Sequence, residues 1–264
     1  MKVKMNLKTK MLVYILTATS IIYALALGYV SFKLNNLAFD NAKKLTQTYA
    51  REYANYTKAD LNVDMNTARA LAQAAMGYKN INSKDRKNIH LDMIKHLIEE
   101  NPNFLSTWFN WQLKYIWPNY KKEDGRLRLT YYRHGGEIIL KEEIIDTIPG
   151  FTKGAYYDIL AQKRDYVMDP YYFTYAEGEE QILETSVATP IMDGGVAVGC
   201  AGIDLPLQRF QDLIKTIQPI EGSYAFLIAY NGQYVAHYHE ENIGKMLSEF
   251  SDFNPQILVD IQSG

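Results

Sequence analysis

Residues 181–205 run QILETSVATPIMDGGVAVGCAGIDL. The segment 181–190 is rich in β-branched residues, 196–203 is short and apolar, and Asp193-Gly194-Gly195 lies between them as a turn signal. Two antiparallel strands joined by a tight turn are predicted. Asp204 closes the second strand, after which Leu207, Phe210, Leu213, Ile214 and Ile217 recur at helical spacing as far as Pro219.

Segments of the same kind lie on both sides. Upstream, 104–111, 126–133, 137–140 and 166–174 have strand composition and are separated by Asp124-Gly125, Gly135-Gly136 and Pro149-Gly150, with Gly178 after the last. A short helix from about Ala155 to Arg164 interrupts them. Downstream, 223–230 and 233–238 flank Asn231-Gly232, a pair suited to the positive φ angles of a type I′ hairpin turn. The stretch from Ile220 onward is short for an independent domain, so this second β module is expected to be incomplete in the chain.

Toward the N-terminus the pattern changes to one long helix. Neither glycine nor proline occurs between Gly28 and Gly77, and Leu61, Met65, Ala68, Ala72 and Ala75 mark one helical face. Ser83 is the expected N-cap of a second helix, with Ile89, Met93, Ile94, Leu97 and Ile98 on its apolar face and Asn101-Pro102 at its end. From Met11 to Phe32 there is no charge over 22 residues, long enough to cross a ~30 Å hydrocarbon layer as a helix. A cleaved signal peptide is the rival reading, because Ala24-Leu25-Ala26 has the small-x-small pattern, but apolar residues continue beyond it. Four lysines precede the span (Lys2, Lys4, Lys8, Lys10) and Lys33 follows it, which predicts a cytoplasmic N-terminus and an extracytoplasmic body on the inner membrane.

The fold class is thus α+β: a transmembrane helix running into a stalk, then tandem antiparallel sheet modules. The expected divisions are a basic tip at 1–10, the span at 11–32, stalk and second helix at 33–101, a membrane-distal module at 102–218 and the start of a membrane-proximal one at 219–264.

Charge and motifs narrow the function. Residues 34–264 carry 23 basic and 30 acidic residues, a net of −7, which argues against nucleic acid as a partner. A lone cysteine, Cys200, excludes an internal disulfide framework and a Cys-rich zinc site. No GxSxG, GxGxxG or HExxH motif occurs, and Gly194–Gly199 leads into Cys200-Ala201 where a phosphate loop needs Lys-Ser/Thr. His237 and His239 share a strand face, but a solvated strand end is the better reading than a metal site; Glu142-Glu143, Glu179-Glu180 and Glu240-Glu241 read as solvated charge. No catalytic group, metal or cofactor is expected.

The chemistry concentrates in polar aromatics and arginines. Trp108 and Asn110 share one strand face, Tyr131 and Arg133 share another, Tyr156-Tyr157 open the short helix, and Tyr171 follows Asp169-Pro170. Such groups line pockets in which rings stack on a ligand, an arginine pairs with a carboxylate and an aspartate accepts from an amine.

The order of features resembles a double Cache sensor, the tandem PAS-like extracytoplasmic input of bacterial chemoreceptors and sensor kinases. The pieces that carry it are Asp124-Gly125-Arg126, Tyr131-Tyr132-Arg133, Gly154-Ala155-Tyr156-Tyr157, Asp169-Pro170-Tyr171, Thr185-Ser186-Val187-Ala188-Thr189-Pro190-Ile191 and Gly199-Cys200-Ala201-Gly202-Ile203-Asp204-Leu205. The resemblance implies a methyl-accepting chemotaxis protein, with a sensor histidine kinase or cyclic-dinucleotide enzyme as the alternative output, and a small-molecule ligand of amino-acid, organic-acid, amine or purine class. It places the site in the distal module, with Tyr157 at the family's motif tyrosine, Asp204 at the aspartate closing the last strand, and Ser186 in the strand beside it. Gly154, Tyr156 and Phe173 depart from the arginine, tryptophan and aspartate of the amino-acid clamp, leaving Arg126 or Arg133 as the substitute cation. A parallel homodimer through the stalk is the expected assembly. The rival classes are an anchored hydrolase using His237 and His239, and a purely structural module.

Overall fold

A computed structural model of the chain describes residues 6–178, 180–250 and 254–263; Lys2, Lys4 and Glu179 lie outside them. The described residues form two compact units: the residues up to Tyr53 with Pro219–Ser223, and Ala54–Gln218 with the residues from Tyr224 onward.

Helix α1 spans Leu7–Ala75, 69 residues, as the absence of breakers predicts. In the first unit it is apolar and exposed, with a stretch of mean hydropathy 1.9 long enough to cross a membrane and none of it buried. Several threonine hydroxyls there bond back to the helix's own carbonyls. Thr17 and Thr19 donate to the Val13 and Ile15 carbonyls at 2.7 and 2.9 Å, and Asn6 caps the N-terminus by accepting from the Thr9 amide at 2.9 Å.

In the second unit α1 buries the predicted face, Met65, Ala68, Leu71, Ala72 and Ala75. Helix α2, Arg86–Glu100, lies with it on one face of the sheet, burying Leu91, Ile94 and Ile98. Ser83 is not its cap. Asn82 organises the approach instead: its carbonyl accepts from Asp85 and Arg86 at 2.9 and 3.1 Å and its side chain from Lys84, so the chain completes a turn before helix begins.

The strands are β1 (Ser106–Gln112), β2 (Arg126–His134), β3 (Glu137–Ile145), β4 (Tyr166–Val167), β5 (Tyr171–Phe173), β6 (Ile182–Asp193) and β7 (Val196–Pro206). They form one antiparallel sheet in the order β3-β2-β1-β7-β6-β4, with β5 also on β6. A four-residue helix α3, Leu113–Ile116, links β1 to β2, and α4, Ala155–Gln162, lies on the opposite face from α1 and α2. The expected strand 166–174 is two pieces, broken at the Asp169-Pro170 step where proline has no amide to donate. The β3 strand extends past residue 140 to Ile145, paired along its length with β2.

Beyond β7, α5 (Gln208–Lys215) packs on a hairpin of β8 (Phe226–Ile228) and β9 (Tyr234–His237), and α6 spans Pro255–Ser263. Gln211 Nε2 donates to the His237 carbonyl at 2.7 Å and its Oε1 accepts the His237 amide at 3.0 Å, so one buried amide side chain satisfies the strand backbone. The turn is not type I′. Only Gly232 has positive φ, +91°, its amide closing on the Ala229 carbonyl at 2.9 Å, and the register shifts at Leu227/Ile228.

Candidate ligand-binding site

Register decides which side chains meet. Ser106 stands opposite Asp204 and Asp204 opposite Ser186; Trp108 faces Thr130 on one side and Gly202 on the other. Because side chains alternate, the even-numbered residues of β1, β2, β6 and β7 share the face under α4 as far as the register shift at Ile191/Met192, beyond which Val198 packs with the core on the other face. The odd-numbered Phe109, Trp111, Leu127, Leu129, Ala201 and Ile203 meet α1 and α2.

The even face and α4 enclose a cavity of about 450 Å³, within the size range of small-molecule sites. Of the predicted residues, Trp108, Asn110, Arg126, Tyr156, Tyr171 and Asp204 line it. Ser186 lies just behind, 2.6 Å from both the Tyr171 hydroxyl and Asp204 Oδ1. Tyr131 and Arg133 do not belong to it. They occupy odd positions on the other face, where Tyr131 packs on the helices and Arg133 donates to the carbonyls of Ile98, Asn101 and Phe104, closing the C-terminus of α2. Tyr157 is also outside the cavity. It turns outward from α4, edge-on to Phe151 and Tyr156, and its hydroxyl pKa is raised by burial and then by Asp146.

At the β2 end are two arginines, each already oriented. Arg126 donates to Asp146 at 2.6 Å and to Asn110 at 3.0 Å, with its guanidinium 4.4 Å from the Tyr156 ring centre. Arg128 pairs with Glu143 from Nε at 2.7 Å and lies over Phe173 at 5.4 Å. Glu143 is therefore a partner of the site rather than solvated charge. Lys153 and Gly154, with φ +102°, form the rim that leads into α4.

The floor is a closed hydrogen-bond network around Asp204. Oδ1 accepts from Trp108 Nε1 at 2.8 Å and from Ser186 Oγ at 2.6 Å; Oδ2 accepts from Tyr175 OH at 2.9 Å and from Ser106 Oγ. Four donors match the roughly four lone-pair sites of a carboxylate. Gly202 makes room for this arrangement, since a Cβ there would lie 2.1 Å from the Trp108 ring.

Tyr175 OH also lies 2.8 Å from Glu184 Oε2. One hydroxyl proton cannot serve both carboxyl groups, so when Tyr175 donates to Asp204 the Glu184 contact requires a proton on Glu184. Burial first, and the Asp204 charge second, push the Glu184 pKa up to about 9, which supplies that proton at neutral pH. The hydroxyls of Tyr171 and Tyr175 are shifted upward for the same two reasons and stay protonated. Burial pushes the Cys200 thiol, also at the cavity wall, up to about 12, so it is a neutral packing group.

The sequence reading missed Arg128, Glu184 and Tyr175. It noted Asp169 only for its place before Pro170 and Tyr171, yet this carboxyl lines the cavity from the β4–β5 loop. Among the described residues no cluster of histidine, cysteine or carboxylates is arranged to hold a metal, and His237 instead accepts from the His239 amide at 2.9 Å.

No family model matches the chain. Among solved structures it is similar to the extracellular domain of mmHK1S-Z3, assigned as a histidine kinase, at 21% identity and TM-score 0.66 over 83% of this chain and 80% of that one. It is similar to methyl-accepting chemotaxis protein X at 19% and 0.64, over 88% and 84%. The ligand-binding domain of the Campylobacter jejuni chemoreceptor Tlp3, solved with L-valine, matches at 16% and 0.55 over 79% and 74%. At these identities the common property is the fold. It is the fold of the extracytoplasmic sensory domains of histidine kinases and chemoreceptors, and the long helix followed by an antiparallel sheet is its α+β signature.

Proposed function

We propose that the chain is the membrane-anchored, extracytoplasmic input of a signal-transducing receptor, and that it binds a small molecule without turning it over. The observation that carries this reading is the cavity between the sheet and α4. Its aromatic walls, two prepositioned arginines and the Asp169 carboxyl form a recognition set, and among the described residues no nucleophile is paired with a base there. Tlp3, a chemoreceptor of the same fold, is solved with an amino acid, which supports a ligand of that size.

The apolar segment of α1 supports anchoring in the inner membrane with a cytoplasmic N-terminus, and its uninterrupted helix supports a parallel dimer that passes displacement along the stalk. The chemoreceptor output is our first reading, and a kinase output uses the same fold. A ligand acts only through its different affinity for two receptor states.

Thermal unfolding of the full chain in lipid nanodiscs, screened against amino acids, organic acids, amines and purines, tests the reading. A ligand at a hundred times its Kd stabilises by about 2.7 kcal/mol. Arg126→Ala is expected to abolish the shift. A screen in which no compound shifts the melting of the unsubstituted chain, or in which every shift survives Arg126→Ala, rejects the site.

A further inference from the structure

The chain that leaves the cavity floor becomes a junction within a few residues. Asp204 lies near the end of β7, and α5 begins at Gln208. On one side α5 holds the hairpin: Gln211 bonds both the amide and the carbonyl of His237, and Lys215 pairs with Glu240. On another side Arg209 forks onto the stalk helix, donating to Asp64 at 2.8 Å and also to Asp60. A second tie joins the hairpin to the cavity wall, where the Asn231 amide donates to Asp169 Oδ1 at 3.3 Å. Helix α5 and the β8–β9 hairpin thus form one body, and both ties lead back to the cavity, one through Asp169 and one through the β7–α5 connection.

The stalk tie is a costly way to hold two helices together. Asp64 is 6% exposed, and burial raises its pKa even against the Arg209 charge. A buried ion pair adds little net stability, and its best-attested use is to fix register. Here one guanidinium serves two carboxylates a helical turn apart, ~6 Å along α1. A shift of α5 along the stalk would close both arms of the fork on a single carboxylate, the bidentate arrangement that arginine favours. The surroundings make that shift one-sided. One turn beyond Asp64 is Ala68, packed with Met65 and Phe104 in the core. Beside Asp60 is a second cavity of about 530 Å³, bounded by Tyr56, Arg133 and Phe210, with room for the guanidinium. The Arg133 charge faces this space and disfavours entry, so the fork that spans both carboxylates is the resting placement.

Resting on the sensor reading above, we propose that Arg209 is a two-position latch between α5 and the stalk, spanning Asp60 and Asp64 at rest and closing on Asp60 alone when the α5–hairpin body moves along α1 by about 3 Å, half the spacing of the two carboxylates. Loss of the Asp169 tie at the cavity wall releases the body toward the second position. Arg209 is a positioning residue and does not line the ligand cavity. An occupant of that cavity acts on the latch by its different affinity for the two placements.

Nitroxide labels on Ala70→Cys in α1 and Glu241→Cys after β9, both exposed positions, read the latch by pulsed electron paramagnetic resonance on the full chain in nanodiscs. Cys200 is buried and stays unlabelled, and dilution with unlabelled chain leaves only distances within one chain. The otherwise unsubstituted chain is expected to give one narrow distance. Asp60→Asn removes the second catch and should leave that distance unchanged, whereas Asp64→Asn should move it by about 3 Å. Asp169→Ala should add the displaced distance as a second peak. A merely structural ion pair would answer alike to the two asparagines, so equal distances in Asp60→Asn and Asp64→Asn overturn the latch. A single unmoved distance in Asp169→Ala overturns it as well, since the latch would then be out of reach of the cavity. Arg209→Gln should broaden the distribution; should that variant fail to fold, the two asparagine variants still decide. All of these distances are read without a ligand, so a failed small-molecule screen rejects the sensor reading and not the latch, and a failed distance experiment does the reverse.

Discussion

The two faces of the central sheet are built by alternate residues of the same strands, yet they solve opposite problems. The odd face of β1 presents Phe109 and Trp111 to α1 and α2 and is an apolar core. The even face presents Trp108 and Asn110 to a cavity whose floor is the hydrogen-bond network in which Ser106 joins Asp204. Each face also buries a titratable group in its neutral form: Glu184 beneath the cavity and His90 between α2 and the sheet, both 0% exposed. An acid kept protonated and a base kept deprotonated respond to pH in opposite directions. That difference teaches that burial, rather than the sign of a nearby partner, sets the protonation state on both faces, and it is open to direct test.

The largest effect is expected at Glu184. Its folded pKa is about 9 against an ordinary 4.5, so the folded chain retains a proton that the unfolded chain releases above pH 4.5. Stability should therefore fall as pH rises from 4.5 toward 9. Glu184→Gln keeps a neutral side chain able to donate to Tyr175 and does not titrate. Relative to the unsubstituted chain, the variant is expected to gain about 4 kcal/mol between pH 5 and pH 8.5, read by urea unfolding at each pH. A parallel pair of curves would mean that Glu184 ionises in place, and that the contrast between the faces is wrong.

Gly202→Ala sharpens the same comparison from the packing side. The added Cβ meets the Trp108 indole, which Asp204 holds by a 2.8 Å bond, so the ring must leave both its place and its acceptor. The expected cost is about 3 kcal/mol, with weakened binding of any ligand found in the screen. Packing of Phe109 and Trp111 on the helices should be preserved, so near-ultraviolet circular dichroism should change while far-ultraviolet helix signal does not. Loss of both signals would show that the faces are not separable.

Most of the strand layout was legible because glycine turns punctuate it and because β1 and β7 read as strands without ambiguity. The faces were less so. Arg126 and Arg133 are an odd number of positions apart in one strand, so alternation alone forbids both from lining one pocket; Arg128, two places from Arg126, was the residue that parity favoured. Tyr131 fell with Arg133 for the same reason. The Asp204 network needed more than parity, since it exists only in the register that sets Ser106 and Ser186 on either side of that aspartate. Tyr175 reaches the network from a loop, between β5 and β6, and no local pattern marks it.

The smallest of these effects belongs to the odd face. His90 stacks on Trp111 at 4.8 Å and lies 5.2 Å from Phe109, and neither ring nitrogen has a hydrogen-bond partner among the described residues. Burial first, and the Arg86 charge second, lower its pKa to about 4 from an ordinary 6.5. The folded chain thus refuses a proton that the unfolded chain accepts below pH 6.5, and the stability present above that pH is lost as pH falls toward 4. At pH 4.5 the loss attributable to His90 is about 2.5 kcal/mol. His90→Leu, similar in volume and unable to titrate, should remove that part of the acid limb while leaving the Glu184 limb at high pH unchanged. Because the two groups sit on opposite faces with no shared partner, the double variant His90→Leu with Glu184→Gln should show both changes added together. A marked departure from additivity would mean that the sheet transmits charge between its faces, which its apolar odd side gives no means of doing.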